Sequence, residues 1–165
     1  MTVILSKPVR QPRLKDRRLL LRLLHEAAEL TRPGDRAGSG SGVELHVILV
    51  GRRTMGRLNA QFLGHAGCTD VLAFAFGGAG DAMEPAVVGE IYICPAVAAE
   101  AALRFGTSLA EECVLYAVHG MLHLAGFDDG EPDARRAMRR AERRVMGRLR
   151  ASVDFGAIFV RSAAS

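Results

Sequence analysis

The stretch EECVLYAVHGMLHLAGFDDGEPD, residues 111–133, is the most informative part of the chain for both fold and chemistry. Its first part is helical by pattern: Val114, Leu115, Val118, Leu122 and Met121 recur at the spacing of one helix face. His119 and His123 stand four residues apart, so they project from the same side of that helix, one turn above the other. Two imidazoles in that arrangement can reach one metal ion. Gly126 offers a place for the helix to end, and the chain turns at FDDG. Such a turn can bring a residue from 128–130 back toward the imidazoles. Asp129 is the natural third ligand, because zinc accepts two imidazoles and a carboxylate and keeps a fourth position for water. The bland alternative is a pair of ordinary helix histidines. Two features favour the metal: this is the most apolar helix of the chain, where unpartnered imidazoles are costly to bury, and an acid pair lies just past its end. A zinc peptidase would carry Glu directly after the first His as general base. Here that position is Gly120, which instead suggests a place where substrate or neighbouring backbone approaches closely.

Upstream of this helix, residues 2–5 read as a short strand and LKDRRLLLRLLHEAAEL, from about 15 to 30, as an amphipathic helix. RPGDRAGSGSG (32–42) is a Gly/Ser-rich loop, and VELHVILV (43–50) a buried strand. A helix over 52–63, a strand over 70–76 and a strand over 87–94 follow, with a Gly-rich connection between the two strands. Helices are predicted over 95–105, 108–125 and 132–149. The pattern predicts an α/β (α+β) single domain over residues 1–150, a small mixed sheet of about four strands packed with about five helices and the metal site on a central helix. Residues 151–165, without a clear period, read as a C-terminal tail.

Composition narrows the setting. At 165 residues and 24% charged, the chain fits one soluble globular domain. No apolar run reaches the roughly 18 residues of a membrane span. The N-terminus places its apolar run before its basic residues, the wrong order for a secretory signal, so the expected compartment is the cytoplasm. Cys68, Cys94 and Cys113 are too scattered for a disulfide framework or a cysteine zinc knuckle. Of 22 basic residues, 20 are Arg and only Lys7 and Lys15 are Lys. Arg suits phosphate oxygens, although genome composition can produce the same bias.

Three segments resemble one family. HGMLHLAGFDD (119–129) is similar to the YbeY signature HGxLHLxGYDH. Leu58-Asn59 followed by Thr69-Asp70-Val71-Leu72-Ala73-Phe74 resembles its LNxxYRxxDxPTDVLSF. Gly89-Glu90-Ile91-Tyr92-Ile93-Cys94 resembles its GDIxI strand. The three lie in family order over roughly 43–149. The resemblance implies a metal-dependent endoribonuclease that is specific for single-stranded RNA. It implies precursor small-subunit (16S) rRNA near its 3′ end as substrate, and the small ribosomal subunit or its factors as partners. In that family a third His completes the metal site, where this chain has Asp129. Leu63 stands where the family usually has Arg, Ala66 where it has Asp, and Cys68 where it has Pro. The usual Arg is associated with handling phosphate, so His65, two residues beyond Leu63, is the candidate for contacting the scissile phosphate or moving a proton. Asp70 reads as organising its loop.

The expected cofactor is one zinc ion on His119, His123 and Asp129, another divalent metal being possible. The helix at 132–149 sets Arg135, Arg136, Arg139, Arg140, Arg143, Arg144 and Arg148 against an apolar stripe of Met138, Ala141, Val145 and Leu149. Arg136, Arg140 and Arg144 form a candidate RNA-facing ridge, the alternative being a solvated helix face. With two Tyr and no Trp, base-stacking platforms look scarce. The competing functions are a non-catalytic, metal-stabilised ribosome assembly factor and, disfavoured by Gly120, a zinc peptidase.

Overall fold

The computed structural model describes residues 1–10, 12–32, 43–76 and 86–160. Most of the Gly/Ser-rich loop at 32–42 and the Gly-rich connection before residue 86 lie outside the described residues. Four strands, β1 (Thr2–Ser6), β2 (Val43–Leu49), β3 (Val71–Ala75) and β4 (Ala86–Ile93), form one sheet in the order β1-β2-β4-β3. β1, β2 and β4 are parallel, and β3 runs antiparallel along the β4 edge. Five helices accompany them: α1 (Arg17–Thr31), α2 (Arg52–Leu63), α3 (Pro95–Phe105), α4 (Leu109–Leu124) and α5 (Pro132–Ser152). The α/β expectation of about four strands and five helices therefore holds among the described residues.

Local chemistry fixes the helix ends. The Asp16 carboxylate accepts from Leu19 N at 2.8 Å and starts α1. Ser108 and Glu111 form a reciprocal capping box at the start of α4. Pro95 and Pro132 occupy the first turns of α3 and α5, where no N–H is required. α4 ends in a Schellman turn: Phe127 N donates to Leu122 O at 2.9 Å, Gly126 N donates to His123 O at 2.9 Å, and Gly126 has φ 94°. A left-handed residue reverses the chain there at little cost only because it is Gly.

One sheet face carries the main core. Leu45, Val47 and Leu49 of β2 and Ile91 and Ile93 of β4 pack with Leu23 of α1, Val114, Val118 and Leu122 of α4, and Val145 and Leu149 of α5. The opposite face holds a smaller cluster, Val50, Met55, Leu72 and Cys94, under α2. The stretch after Ala151 contributes as well. α5 runs on to Ser152, and Phe155, Ile158 and Phe159 are buried in the main core, with Phe159 bridged to Leu14. No helix among the described residues is long and apolar enough to cross a membrane.

Two glycines set how closely α4 lies on the sheet. A Cβ on Gly120 of α4 would meet Ile91 Cγ2 at 2.9 Å, and a Cβ on Gly89 of β4 would meet Leu124 Cδ1 at 2.9 Å and Phe74 O at 2.8 Å. Each element thus omits a side chain where the other projects one. The sequence reading of Gly120 as a place of close approach fits this packing: in its Cβ direction lies the fully buried Ile91 side chain. The same packing leaves no room for a peptidase-type Glu at this position.

Candidate metal centre

α4 presents His119 and His123 side by side, with Nε2 atoms 3.0 Å apart and rings nearly perpendicular. The Schellman turn carries the chain back over them. Asp128 Oδ1 accepts from Asp129 N at 2.8 Å and from Gly130 N at 3.3 Å, a side-chain turn that occupies Asp128 locally. Arg135 of α5 donates to the carbonyls of Asp129 and Gly130, each at 2.9 Å. Asp129 is left facing the imidazoles, one carboxylate oxygen 3.7 Å from His119 Nε2 and the other 3.7 Å from His123 Nε2. The three side chains offer ligand atoms within 4.8 Å of one another.

The far side of each ring determines what the near side can be. His119 Nδ1 lies 2.6 Å from Glu142 Oε1, and a carboxylate only accepts, so Nδ1 carries the proton. His123 Nδ1 lies 3.1 Å from the Phe127 carbonyl and must likewise donate. In the neutral rings both Nε2 atoms then present lone pairs to each other at 3.0 Å, next to a carboxylate. That arrangement is repulsive in the neutral rings and is relieved either by a proton on one Nε2, which the raised His119 pKa favours, or by a cation held among the three groups. The donor set fits a divalent ion of the zinc type, with two imidazoles and one carboxylate as ligands and the outer hydrogen bonds fixing tautomer and ring orientation. Glu142 holds the His119 pKa above its usual value; partial burial opposes this, and Asp129 and Asp70 add to it.

Glu142 was not singled out in the sequence. Its signal is positional: it is the one acid in the middle of an Arg-rich helix, and it adjoins Ala141 of the apolar stripe. The other sequence candidates fall around this centre. Asp70 Oδ1 accepts from Val71 N and from Thr69 Oγ1, and its carbonyl accepts from Cys94 N, so it organises the start of β3. His65 is exposed on the loop after α2 and does not line the cleft beside the histidines. Cys68 packs with its Sγ 3.6 Å from that of Cys94. Arg136, Arg140 and Arg144 all face outward from α5, and Arg136 pairs with Asp133.

The cleft encloses about 370 Å³ and is open to solvent. Leu63 forms one wall, the edge strand from Val71 to Phe74 another, and His119, Gly120 and His123 the base.

A family model described as Endoribonuclease YbeY matches residues 12–150. The chain belongs to the YbeY family of endoribonucleases. It is 40% identical over 108 residues to the Endoribonuclease YbeY of Kineococcus radiotolerans, a stretch spanning 62% of each chain. To that of Salinispora tropica it is 39% identical over 128 residues, covering 72% of this chain and 82% of the other. A solution structure of a Thermotoga maritima protein matches with TM-score 0.55 and 28% identity, covering 91% of this chain and 93% of that one. Leu63 stands on the wall of the cleft and Asp129 beside the two histidines of its base.

Proposed function

We propose that this YbeY-family chain is a metal-dependent endoribonuclease that cuts single-stranded RNA, with precursor small-subunit (16S) rRNA near its 3′ end as substrate, in the cytoplasm. One observation carries the metal reading: His119, His123 and Asp129 offer ligand atoms within 4.8 Å of one another, while each Nδ1 faces an acceptor on its far side. His119, His123 and Asp129 would hold one zinc ion. Bound there, the ion supplies Lewis acidity toward a phosphoryl oxygen and brings the pKa of its water down toward ~7. Glu142 and the Phe127 carbonyl keep both rings in the ligating tautomer. Asp129, anionic where the commoner ligand is neutral, makes the centre more negative and should slightly reduce the acidity of that water. His65, two residues past a wall of the cleft, is proposed to contact the scissile phosphate or carry a proton. The outward arginines of α5 would steer the strand by its phosphates.

The test is metal content by mass spectrometry on untagged protein, together with cleavage of a labelled single-stranded RNA and a casein control. RNA cut only when metal is present supports the proposal, and cleavage of casein supports a peptidase. Bound metal with neither substrate cut would turn the reading to a non-catalytic assembly factor. His123→Ala should strip the ion, since two remaining ligands hold zinc poorly; a variant with full metal occupancy rules this centre out. Asp129→His should retain the ion.

A further inference from the structure

A patch of aromatic surface adjoins the cleft. Phe62 at the end of α2 is 54% exposed, and its ring lies on Phe74 with centroids 4.9 Å apart. Phe74 in turn meets Tyr92 edge-on at 5.9 Å, which seats it on the sheet. Phe74 and Leu63 both line the cleft, and Phe62 adjoins each of them, meeting Phe74 through its ring and preceding Leu63 in the chain. Phe76, 44% exposed and two residues beyond Phe74, continues it along the sheet edge. No Lys or Arg is among the described residues lining the cleft.

A single nucleotide strand presents two surfaces, anionic phosphates and flat bases. If a phosphodiester sits at His119 and His123, the adjoining nucleotide must lie against a cleft wall. These walls offer no charge to a phosphate, but they do offer aromatic faces to a base. Phe62 is exposed yet already held by a ring beneath it, so little side-chain freedom is lost when a base stacks on it. Leu63 keeps the wall of the cleft apolar next to Phe74.

We propose that Phe62, Leu63 and Phe74 form a stacking shelf for the nucleobase next to the scissile phosphate. This rests on the single-stranded RNA reading above and gives that reading a second mode of contact: phosphates on the α5 arginines, a base on the shelf. With two Tyr and no Trp, the chain has seven Phe from which such a shelf can be built.

The test uses full-length protein loaded with zinc and a fluorescent single-stranded RNA whose cut position has been mapped. A second RNA carries abasic nucleotides on both sides of that position. Phe62→Ala should weaken binding of the intact RNA about tenfold, and Phe62→Trp should restore it, with metal content unchanged in both. The abasic RNA should bind wild type and both variants alike. Phe62→Leu, which keeps an apolar side chain, replaces Phe62→Ala should the latter melt early. If the substitution leaves the preference for intact over abasic RNA untouched while wild type still cuts RNA, the shelf is wrong and the endoribonuclease reading stands. If zinc-loaded wild type cuts no RNA, both fall together.

Discussion

The two faces of the sheet are built to opposite specifications. On the α4 side, the core is broad and dry, and Gly120 and Gly89 bring helix and strand to the closest approach their neighbours allow. On the α2 side, four buried residues form a small cluster, and rings are left half in solvent around it. The metal-capable side chains grow from the first face and the accessible rings from the second. A donor set that must converge within a few tenths of an ångström needs supports that cannot move. A surface that receives a flexible strand needs exposure instead.

That contrast predicts unequal responses to the same type of change. Leu122→Ala and Met55→Ala both empty a fully buried position, 1% and 0% exposed. The main core cannot collapse around Leu122, so its loss should cost about 4 kcal/mol, whereas α2 can settle onto its small cluster and Met55→Ala should cost about 2 kcal/mol. Urea denaturation of both variants measures this; equal costs would break the comparison. Gly120→Ala should destabilise by about 1–3 kcal/mol through overpacking against Ile91 and should loosen metal binding with it. Phe62→Leu on the open face should change stability by less than about 0.5 kcal/mol.

Glu142→Gln sharpens the claim about rigid supports. The amide keeps an acceptor near His119 Nδ1 but loses the charge, so zinc affinity should fall about 10–100-fold in a chelator competition while circular dichroism stays unchanged. An unaltered affinity would mean that Glu142 does not orient the ring.

How much of this was legible depended on range. α2 was predicted over 52–63 and is Arg52–Leu63, because its periodicity and its Gly64 stop are local. The His119/His123 pair and the turn at Gly126 were equally local, being set by one helix and its cap. The role of Glu142 was hidden because the contact spans 23 residues and two helices, and nothing in the pattern of α5 says which neighbour it meets. The fit of Gly120 against Ile91 was missed for the same reason: a glycine advertises missing bulk without saying what fills it. Phe155, Ile158 and Phe159 lacked a period because they plug the core from a 3₁₀ turn and a single bridge, where neither helix nor strand spacing applies.

Smaller effects test the periphery. Ser108→Ala removes half of the α4 capping box and should cost about 1 kcal/mol near neutral pH. Glu111, the other half, has its carboxyl held below the usual range by Arg150 and by hydrogen bonds from Ser108. A depressed acid stabilises the fold above its unfolded pKa and loses that contribution as pH falls through the lower folded value. The gap between wild type and Arg150→Gln should therefore narrow in acid; a gap independent of pH would mean that Arg150 does not act through the Glu111 charge. Smallest for stability is the triple change of Arg136, Arg140 and Arg144 to Gln, which leaves the buried stripe of α5 intact. RNA affinity should weaken, and its dependence on log salt should become shallower by up to about two units. An unchanged slope would assign these arginines to solvent.

The strand order also dictates a timetable. β3 touches only β4 in the sheet, and β4 follows it in the chain, so the edge that walls the cleft has no partner when it is first synthesised. His119, His123, Asp129 and Glu142 come later still. Since chains begin to fold from the N-terminus as they are made, β1 and β2 can pair early, whereas the cleft closes only after β4 and the metal centre only after α5 has emerged. Pulsed amide exchange during refolding should show β3 protected no sooner than β4. The candidate ligands are thus brought together only after the sheet that carries them has its last strand in place.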